Sequence, residues 1–336
     1  MNDAPLGPRG SPLAVTAVIP AFRAADRVGV AIRSFLDQPG IEPWVVVVVD
    51  DQCERTIEVA RSYGSRVTAI MNSRNVGASA SRNVGLAACV TRYVYFLDSD
   101  DWIEGPLISS LLSDMERNDG DLSFGPFVVQ VEDSGQRHTR PAVARSRDKL
   151  FSDWMIGKAY VPPVSVMWKT AFLRDIGGWY DAVSRNDDAE LVLRALLAGG
   201  RYGFALDGLG VYLWHTSPYR VSKQSSNIAD MLAIVRRLSD MPGSAISRQT
   251  VVCAAGEASY EIARTAFEEG EYITGREALA FARSLGFKGH KGGAVARTVG
   301  TLLGLENRMR IKSLMSRARL DIHLSAWERS IVLGQD

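Results

Sequence analysis

The 336-residue sequence is poor in cysteine, and its three cysteines lie far apart. Cys53, Cys89 and Cys253 form no CxxC pair, which excludes a cysteine-based zinc site and a disulfide framework. This usage favours a reducing compartment, so we expect a cytoplasmic protein. The N-terminal segment 1–12 has prolines and glycines ahead of any apolar run and does not look like a signal peptide. We expect it to be a flexible tail.

Long hydrophobic runs and an excess of either charge are also missing. No stretch of 18 apolar residues occurs, which predicts that no helix crosses a membrane. The chain has 39 Lys and Arg against 38 Asp and Glu, so it lacks the basic surplus that nucleic-acid binding requires. Its length suits one large domain, or a domain with an extension.

Strands and helices alternate over the first hundred residues. Short apolar runs predict the strands, and apolar residues at helical spacing predict the helices between them. The predicted strands are 15–19, 44–49, 67–71 and 93–97, and the predicted helices are 24–38, 56–63 and 79–88. Beyond them we expect a helix over 103–115 and a polar loop over 132–147. This order is typical of an α/β fold with a mostly parallel, Rossmann-like sheet built from right-handed βαβ units.

Two common nucleotide-binding loops are absent from this predicted sheet. The turn after the first strand is Pro20-Ala21-Phe22-Arg23, which contains no glycine. A Rossmann dehydrogenase needs GxGxxG at this turn, and no P-loop sequence occurs either. A sugar nucleotidyltransferase would need a triphosphate loop rich in glycine and lysine at the same place. It is therefore the weaker alternative, and any nucleotide must be held in another way.

Acidic residues follow two of the four predicted strands. The second strand ends in Asp50-Asp51, and the fourth ends in Asp98-Ser99-Asp100-Asp101. Carboxyl ends of parallel strands share one edge, where ligands bind in such sheets. Carboxylates this close repel one another unless a cation lies among them, so we predict Mg²⁺ or Mn²⁺ carrying a substrate diphosphate. Alternatively, Ser99 or Asp100 caps a helix that begins near Asp101, and the two roles are compatible.

Four motifs in register resemble glycosyltransferase family 2. They are Val18-Ile-Pro-Ala-Phe22, Val48-Val-Asp50-Asp51, Asn75-Val-Gly77 with Ser81-Arg82-Asn83-Val-Gly85, and Phe96-Leu-Asp98-Ser-Asp100-Asp101. Each motif is weak alone, but their order and spacing match that family's nucleotide-sugar domain. The resemblance implies a GT-A fold and an inverting transfer of a sugar from a nucleotide-sugar donor, a UDP-sugar by family habit. The cofactor it implies is Mn²⁺ or Mg²⁺.

Three of these motifs imply contacts with the donor nucleotide. By resemblance, Pro20 and Ala21 lie against the base and ribose, Asp51 hydrogen-bonds the base, and Arg82 lies near the base or the diphosphate. The chain departs from the family after Asp51, where Gln52-Cys53 replaces the usual Gly-Ser and changes the freedom of the turn. Taken alone, Asp51 would be a helix cap and Arg82 half of a surface ion pair.

The fourth motif implies the contacts with the sugar and the metal. By resemblance, Asp98 and Ser99 lie near the ribose and the donor sugar, and Asp100 binds the metal ion directly. A later predicted strand over 211–215 ends in His215. This histidine is either a further metal ligand or a structural residue.

An acidic pair supplies the candidate base. Residues 172–181 resemble the family's F-x-x-x-G-G-F-D-E run, and Asp187-Asp188 resembles the Glu-Asp pair that opens the next helix. An acceptor hydroxyl needs a base as it attacks the anomeric carbon. We expect Asp188 to be that base, with Asp187 as the alternative, although both acids also suit the helix dipole. Glu190 and Arg194 have the spacing of an i,i+4 ion pair.

The alternation of strands and helices ends near residue 227. From there the predicted elements are the helices 228–238, 247–269, 273–285 and 294–316. Segment 287–320 carries eight basic residues and one acidic residue among apolar ones. It suits a basic amphipathic helix on an anionic membrane surface, or an ordinary helix packed on the rest of the protein. A peripheral contact at the inner face of the membrane is therefore an alternative to a purely cytoplasmic location.

The expected organisation is a tail over 1–12, a GT-A glycosyltransferase domain over 13–225 and a helical extension over 226–336. The leading function is transfer of a sugar to a hydroxyl of a glycan, a lipid-linked glycan or a small molecule. A non-catalytic nucleotide-binding scaffold of the same fold is the alternative from another class.

Overall fold

A computed structural model describes most of the chain, namely residues 14–50, 54–140, 145–183, 186–215, 228–241, 245–288 and 304–309. These residues fall into two compact units. The first contains the described residues up to 145 and those from 161 to 215, and the second contains 146–160 and the described residues from 228 onward. No described helix is both long enough and apolar enough to cross a membrane.

The described elements comprise eleven strands and ten labelled helices. The strands are β1 Ala14–Ala21, β2 Glu42–Val49, β3 Val67–Met71, β4 Tyr93–Phe96, β5 Trp102–Glu104, β6 Leu122–Phe124, β7 Phe127–Val131, β8 Arg137–Arg140, β9 Val166–Lys169, β10 Tyr202–Phe204 and β11 Leu209–Trp214. The helices are α1 Val28–Leu36, α2 Glu54–Arg61, α3 Ala78–Ala88, α4 Leu107–Asn118, α5 Arg147–Met155, α6 Thr170–Asp175, α7 Asp187–Leu197, α8 Ile228–Asp240, α9 Arg248–Glu269 and α10 Tyr272–Ser284.

Seven strands form the main sheet of the first unit, in the order β10-β6-β9-β4-β1-β2-β3. The pairs around β1 and β2 are parallel, as is the pair β6–β10, whereas β9 is antiparallel to both of its neighbours. This is the predicted mostly parallel sheet. The chain passes from β1 to β2 and β3 and then returns to β4 on the other side of β1. The carboxyl ends of β1 and β4 therefore flank the switch point at which such sheets bind ligands.

The centre of this sheet is buried because its strands are almost continuously apolar. All eight residues of β1 are buried, as are the five consecutive valines that end β2. Such runs mark central strands covered on both faces. On one side α1 packs Val28, Ile32 and Phe35 into this core. The Phe35 ring stacks on that of Tyr95 in β4, with centroids 5.8 Å apart.

A smaller sheet in the order β5-β11-β7-β8 completes the first unit. Its strand β11 is antiparallel to β5 and parallel to β7. Gly210 lets β11 pass close to the segment before β9, since a Cβ there would lie 2.1 Å from Ser165 Oγ. The residue that follows β11 is His215.

The second unit consists of helices. Its longest helix, α9, packs against α5, α8 and α10. The Ser247 hydroxyl caps the start of α9 by accepting a hydrogen bond from the backbone N–H of Thr250 at 3.1 Å. The helix ends at Gly270, whose φ of 89° is typical of a glycine C-cap. The predicted helices 228–238, 247–269 and 273–285 correspond to α8, α9 and α10. Most of the predicted helix 294–316 lies outside the described residues, and the part at 304–309 is helical.

Two predictions of local structure were wrong. The helix expected from Ile103 is strand β5 followed by α4, and the polar loop expected over 132–147 contains β8. Because β5 begins at Trp102, no helix starts near Asp101, so the predicted helix-capping role of Ser99 or Asp100 was wrong as well. Both strands have three or four residues and are ordered by the strand beside them, which a local pattern does not reveal.

Candidate active site

The end of β1 forms one corner of the site. Pro20 and Ala21 are buried, and the Asp50 backbone N–H donates to the Ala21 carbonyl at 2.9 Å, which extends the ladder between β1 and β2. The next residues, Phe22 and Arg23, are exposed, with the Arg23 guanidinium 5.3 Å from the Phe22 ring centroid. Pro20 and Ala21 therefore lie at the predicted edge and contribute mainly backbone to it.

Asp50 anchors the loop that leads into α3. It is 4% exposed, and its carboxylate accepts hydrogen bonds from Asn72 Nδ2 at 2.7 Å and from the backbone N–H groups of Val76 and Gly77 at 2.9 and 2.8 Å. Sequence reasoning placed this acid in the crevice and missed its anchoring role, because its partners lie more than twenty positions downstream. Asp51, predicted to contact the donor's base, lies outside the described residues.

Arg82 on α3 is the centre of the site. It is 5% exposed, and it donates from Nη2 to Asp98 Oδ1 at 2.6 Å and from Nη1 to Asp187 Oδ2 at 2.9 Å. Its guanidinium lies 4.3 Å from the Trp179 ring centroid, a cation–π contact. Burial lowers the pKa of Arg82, but the charges of Asp98 and Asp187 outweigh burial and raise the pKa above its ordinary value. Arg82 is thus a charged, buried bridge between two carboxylates, and the surface-pair alternative was wrong.

Asp98 lies two residues after the end of β4, with its side chain 29% exposed. Burial raises the pKa of Asp98; Arg82 opposes this shift, and the neighbouring charge of Asp100 adds to it. Because these effects disfavour the charged form of Asp98, an added positive charge nearby would stabilise it. Ser99, the next residue, is half-buried. The structure thus joins Asp98 to Arg82 across the switch point.

The two acids at the start of α7 have different surroundings. Asp187 Oδ2 accepts hydrogen bonds from Ser79 Oγ at 2.5 Å and from Arg82 at 2.9 Å, which ties it to α3. Asp188 is half-buried, and its Oδ1 accepts from the backbone N–H of Ala189 at 2.8 Å. Both acids lie in the first helical turn, as predicted. The structure therefore places Asp188 next to a carboxylate already held by two donors.

A tight turn before α7 is held against α3. Asn83 exchanges two hydrogen bonds of 2.8 Å with the backbone of Trp179, one to its carbonyl and one from its N–H. Gly178 has a φ of 66°, and a Cβ there would lie 2.6 Å from Asn83 Oδ1, so this position requires glycine. The Trp179 ring, already beneath Arg82, meets Phe96 edge-on at 5.0 Å.

The predicted Glu190–Arg194 pair is present and is buried. Arg194 donates to both carboxylate oxygens of Glu190, at 2.9 and 2.8 Å, and also to the carbonyls of Ile176 and Gly178. Because these carbonyls belong to the turn before α7, the pair locks the helix to that turn. The spacing predicted the pair but not its burial or its extra partners.

Asp100 and His215 meet at the other side of the site. His215 Nε2 lies 2.7 Å from Asp100 Oδ2, and the histidine is 8% exposed. A carboxylate suits Mg²⁺ or Mn²⁺, and imidazole is a common metal ligand. Across the described part of the chain, no three His, Cys, Asp or Glu side chains are grouped closely enough to hold a metal. The pair therefore offers one carboxylate and one imidazole, which are hydrogen-bonded to each other in this structure.

Asp101, the third acid of the cluster, serves β11. It is 2% exposed, and its Oδ1 accepts a hydrogen bond from the backbone N–H of Leu213 at 2.8 Å. The pairing of β5 with β11 ends at Val211, so beyond that point the Asp101 carboxylate accepts a backbone hydrogen bond on the side where β5 no longer pairs. Leu213 lies two residues before His215. Asp101 thus supports the strand that delivers the histidine.

Solved structures with known ligands have the same architecture. The structure of S. aureus TarS residues 1–349 in complex with UDP-GlcNAc superposes with a TM-score of 0.66 at 15% identity, over 92% of this chain and 94% of that one. The mannosyltransferase PcManGT from Pyrobaculum calidifontis, in complex with GDP-Man and Mn²⁺, gives a TM-score of 0.53 at 15% identity, over 96% and 88%. At these identities the likeness concerns the fold, which is the GT-A fold.

Sequence comparison finds a known family that part of the chain resembles. Residues 16–173 match the model of glycosyl transferase family 2. An uncharacterized glycosyltransferase of Haemophilus influenzae is 24% identical over 221 residues, 65% of this chain and 74% of that protein. The succinoglycan biosynthesis protein ExoO of Rhizobium meliloti is 28% identical over 224 residues, 62% of each chain. Residues 16–173, which contain the four motifs, are thus similar to glycosyltransferase family 2, as those motifs predicted.

Proposed function

We propose that the chain is an inverting glycosyltransferase that moves a sugar from a UDP-sugar to a hydroxyl group of a glycan. The observation that carries this proposal is the Arg82 bridge, which joins Asp98 at the end of β4 to Asp187, the neighbour of the candidate base. Donor-side and acceptor-side acids therefore share one crevice. The UDP-GlcNAc complex of TarS supports the choice of donor, and the name of ExoO supports a glycan acceptor.

Asp188 is the proposed general base. As the acceptor oxygen bonds to the anomeric carbon, the bond from that carbon to the diphosphate oxygen breaks, its electron pair leaves with the diphosphate, and Asp188 receives the hydroxyl proton. Attack on the face opposite the leaving group inverts the configuration. Asp187 is already engaged by Ser79 and Arg82, which favours Asp188 for this role.

Asp100 and His215 are the proposed ligands of Mn²⁺ or Mg²⁺. A carboxylate and an imidazole only 2.7 Å apart support this assignment, and a bound ion would supply positive charge beside the departing diphosphate. The Mn²⁺ in the PcManGT complex supports a divalent ion in this fold.

The remaining donor contacts are proposed from position. Pro20 and Ala21 at the end of β1 are assigned to the base and ribose, and Asp98 and Ser99 after β4 to the ribose and sugar. Asp51, outside the described residues, is assigned to the base. A glycan acceptor that is lipid-linked, with a peripheral membrane contact through the basic segment 287–320, is part of the same proposal.

Two substitutions test the assignment of the metal ligand and the base. Thermal unfolding with UDP, GDP and other nucleotide diphosphates, with and without Mn²⁺, measures donor binding, and product formation measures transfer. We expect a Mn²⁺-dependent rise in Tm with UDP. Asp100→Ala should lose both this rise and transfer. Asp188→Ala should keep the rise, while transfer falls about 10²- to 10⁴-fold for loss of a general base.

Asp119→Ala is the matched control. This exposed aspartate pairs with Arg201 at 2.6 Å, in the loop between α4 and β6, so its loss should change neither measurement. Wild-type turnover in the Asp100 or Asp188 variant would contradict the assignment. A nucleotide-dependent rise in Tm without transfer or donor hydrolysis by the wild-type protein would indicate the non-catalytic scaffold instead.

A further inference from the structure

One face of α3 forms hydrogen bonds to the segment that carries the proposed base. Ser79, Arg82 and Asn83 have the i, i+3, i+4 spacing that places side chains on one helix face. All three contact residues about a hundred positions later in the chain, either Asp187 or Trp179. Elsewhere along α3, Gly85 lies against Val18 of β1. The helix is therefore held by the sheet and itself holds the start of α7.

The guanidinium of Arg82 is enclosed by protein groups. Nη1 and Nη2 donate to Asp187 and Asp98, the ring of Trp179 covers one face, and Nε is buried with no hydrogen-bond partner in the described part of the chain. A side chain placed in this way orients the two carboxylates and is poorly placed to reach out to a diphosphate. This differs from the nucleotide contact that the family resemblance implied.

Ser79 gives Asp187 its second donor. The residue is 6% exposed, and its hydroxyl lies 2.5 Å from Asp187 Oδ2, a short hydrogen bond to a charged acceptor. With Arg82 it fixes the carboxylate from two directions. Because Asp187 and Asp188 are consecutive at the helix start, fixing one limits the movement of the other.

We propose that Ser79 and Arg82 are positioning residues that fix the start of α7, and hence Asp188, relative to Asp98 on the donor side. This inference rests on the proposed function and concerns how the proposed base is aligned with the donor side of the site. Ser79 hydrogen-bonds to Asp187, and Arg82 hydrogen-bonds to Asp187 and Asp98, so we expect the metal and diphosphate site to form without them. Loss of Ser79 should therefore slow transfer without weakening donor binding, because small misplacements of reacting groups cost up to about a hundredfold in rate.

Ser79→Ala is the sharpest test, because it removes one hydroxyl and leaves Arg82 in place. Ser123→Ala is the matched control, since Ser123 Oγ donates to the buried Asp114 at 2.6 Å, in α4 and β6, on the far side of β9 from β4. We expect Ser79→Ala to lower kcat about ten- to a hundredfold at saturating substrates. The dissociation constant of UDP with Mn²⁺ should stay within about twofold of wild type. Ser123→Ala should keep wild-type kcat.

Two conservative variants separate positioning from simple loss of structure. Ser79→Thr keeps the hydroxyl and should recover most of kcat. Arg82→Lys keeps the charge but loses the planar fork that spans two carboxylates, so kcat should fall by a larger factor than UDP affinity.

The inference is overturned if Ser79→Ala has wild-type kcat, or if its UDP affinity falls in step with kcat. A loss of UDP affinity in Arg82→Lys as large as its loss of kcat would return Arg82 to the nucleotide contact that the resemblance implied. If the wild-type protein transfers no sugar at all, the proposed function fails and the inference falls with it. A failure confined to these variants leaves the proposed function standing.

Discussion

The close approach of α3 to β1 depends on the absence of a side chain at residue 85. A Cβ at Gly85 would lie 2.2 Å from Val18 Cγ1 and 3.2 Å from Val18 Cβ, inside the buried centre of the sheet. Gly85 is itself buried, and its helix presents Ser79 and Arg82 to the site. The absence of a side chain at residue 85 therefore determines how closely α3, which carries Ser79 and Arg82, packs against β1.

Gly85→Ala should destabilise the protein by roughly 1–3 kcal/mol, the usual cost of overpacking a core. The sign is informative, because alanine in an open helix position would stabilise by up to about 1 kcal/mol relative to glycine. Urea unfolding of the two proteins measures the difference. Val18→Ala removes the clashing methyl groups, so Gly85→Ala should cost less in that background. Equal costs in both backgrounds would contradict the packing account.

Among the elements, β11 shows how a strand outside the main sheet completes the site. It is bordered by β5 up to Val211, and beyond that point Asp101 accepts the hydrogen bond of Leu213. His215 follows within the same run of backbone. The acidic cluster after β4 therefore has two roles. Asp100 is one candidate metal ligand, and Asp101 supports the strand that precedes the other candidate, His215.

Asp101→Ala should weaken metal binding without removing a ligand. Loss of its hydrogen bond to Leu213 leaves the end of β11 held along one edge only, by its pairing with β7. Groups that orient metal ligands are typically worth about 10- to 100-fold in affinity. The measurement is the Mn²⁺ concentration that gives half of the UDP-dependent rise in Tm. Asp101→Asn retains the oxygen that accepts this hydrogen bond and should stay close to wild type. An unchanged Mn²⁺ requirement in Asp101→Ala would show that β11 is held by other contacts.

Sequence patterns predicted the elements whose order is local and missed those ordered by distant partners. The valine run of β2 predicts a buried strand, and the acids after β4 predict a polar strand end. Both predictions are confirmed. Strands β5 and β8 are too short to carry a period of their own. The same limit applies to the site. The motifs that contain Arg82 and Asp98 lie only 16 residues apart, and the resemblance assigned both residues to the donor. The bond of Arg82 to Asp187, 105 positions away, had no local signal.

At the scale of the whole molecule, the helical unit is not one continuous stretch of chain. Helix α5, between β8 and β9 in sequence, belongs to this unit together with α8, α9 and α10. It packs against α9, and the Thr250 hydroxyl donates to Asp148 at 2.8 Å. Leu150, Phe151 and Trp154 are the large apolar side chains that α5 buries. The domain boundary expected from the sequence, between residues 225 and 226, therefore assigns α5 and α9 to different domains.

A chain that ends at residue 225 should therefore be less soluble than the full protein. Removing α9 uncovers apolar surface on α5, and each large side chain exposed costs about 1.5–3 kcal/mol. We expect binding of a hydrophobic dye and oligomers in size-exclusion chromatography. Replacing 146–160 of the shortened chain by a glycine-serine segment of equal length is the control, and it should restore a monomer if the first unit folds alone. A shortened chain that stays monomeric and unfolds cooperatively with α5 intact would show that α5 does not need α9, and would support 13–225 as an independent domain.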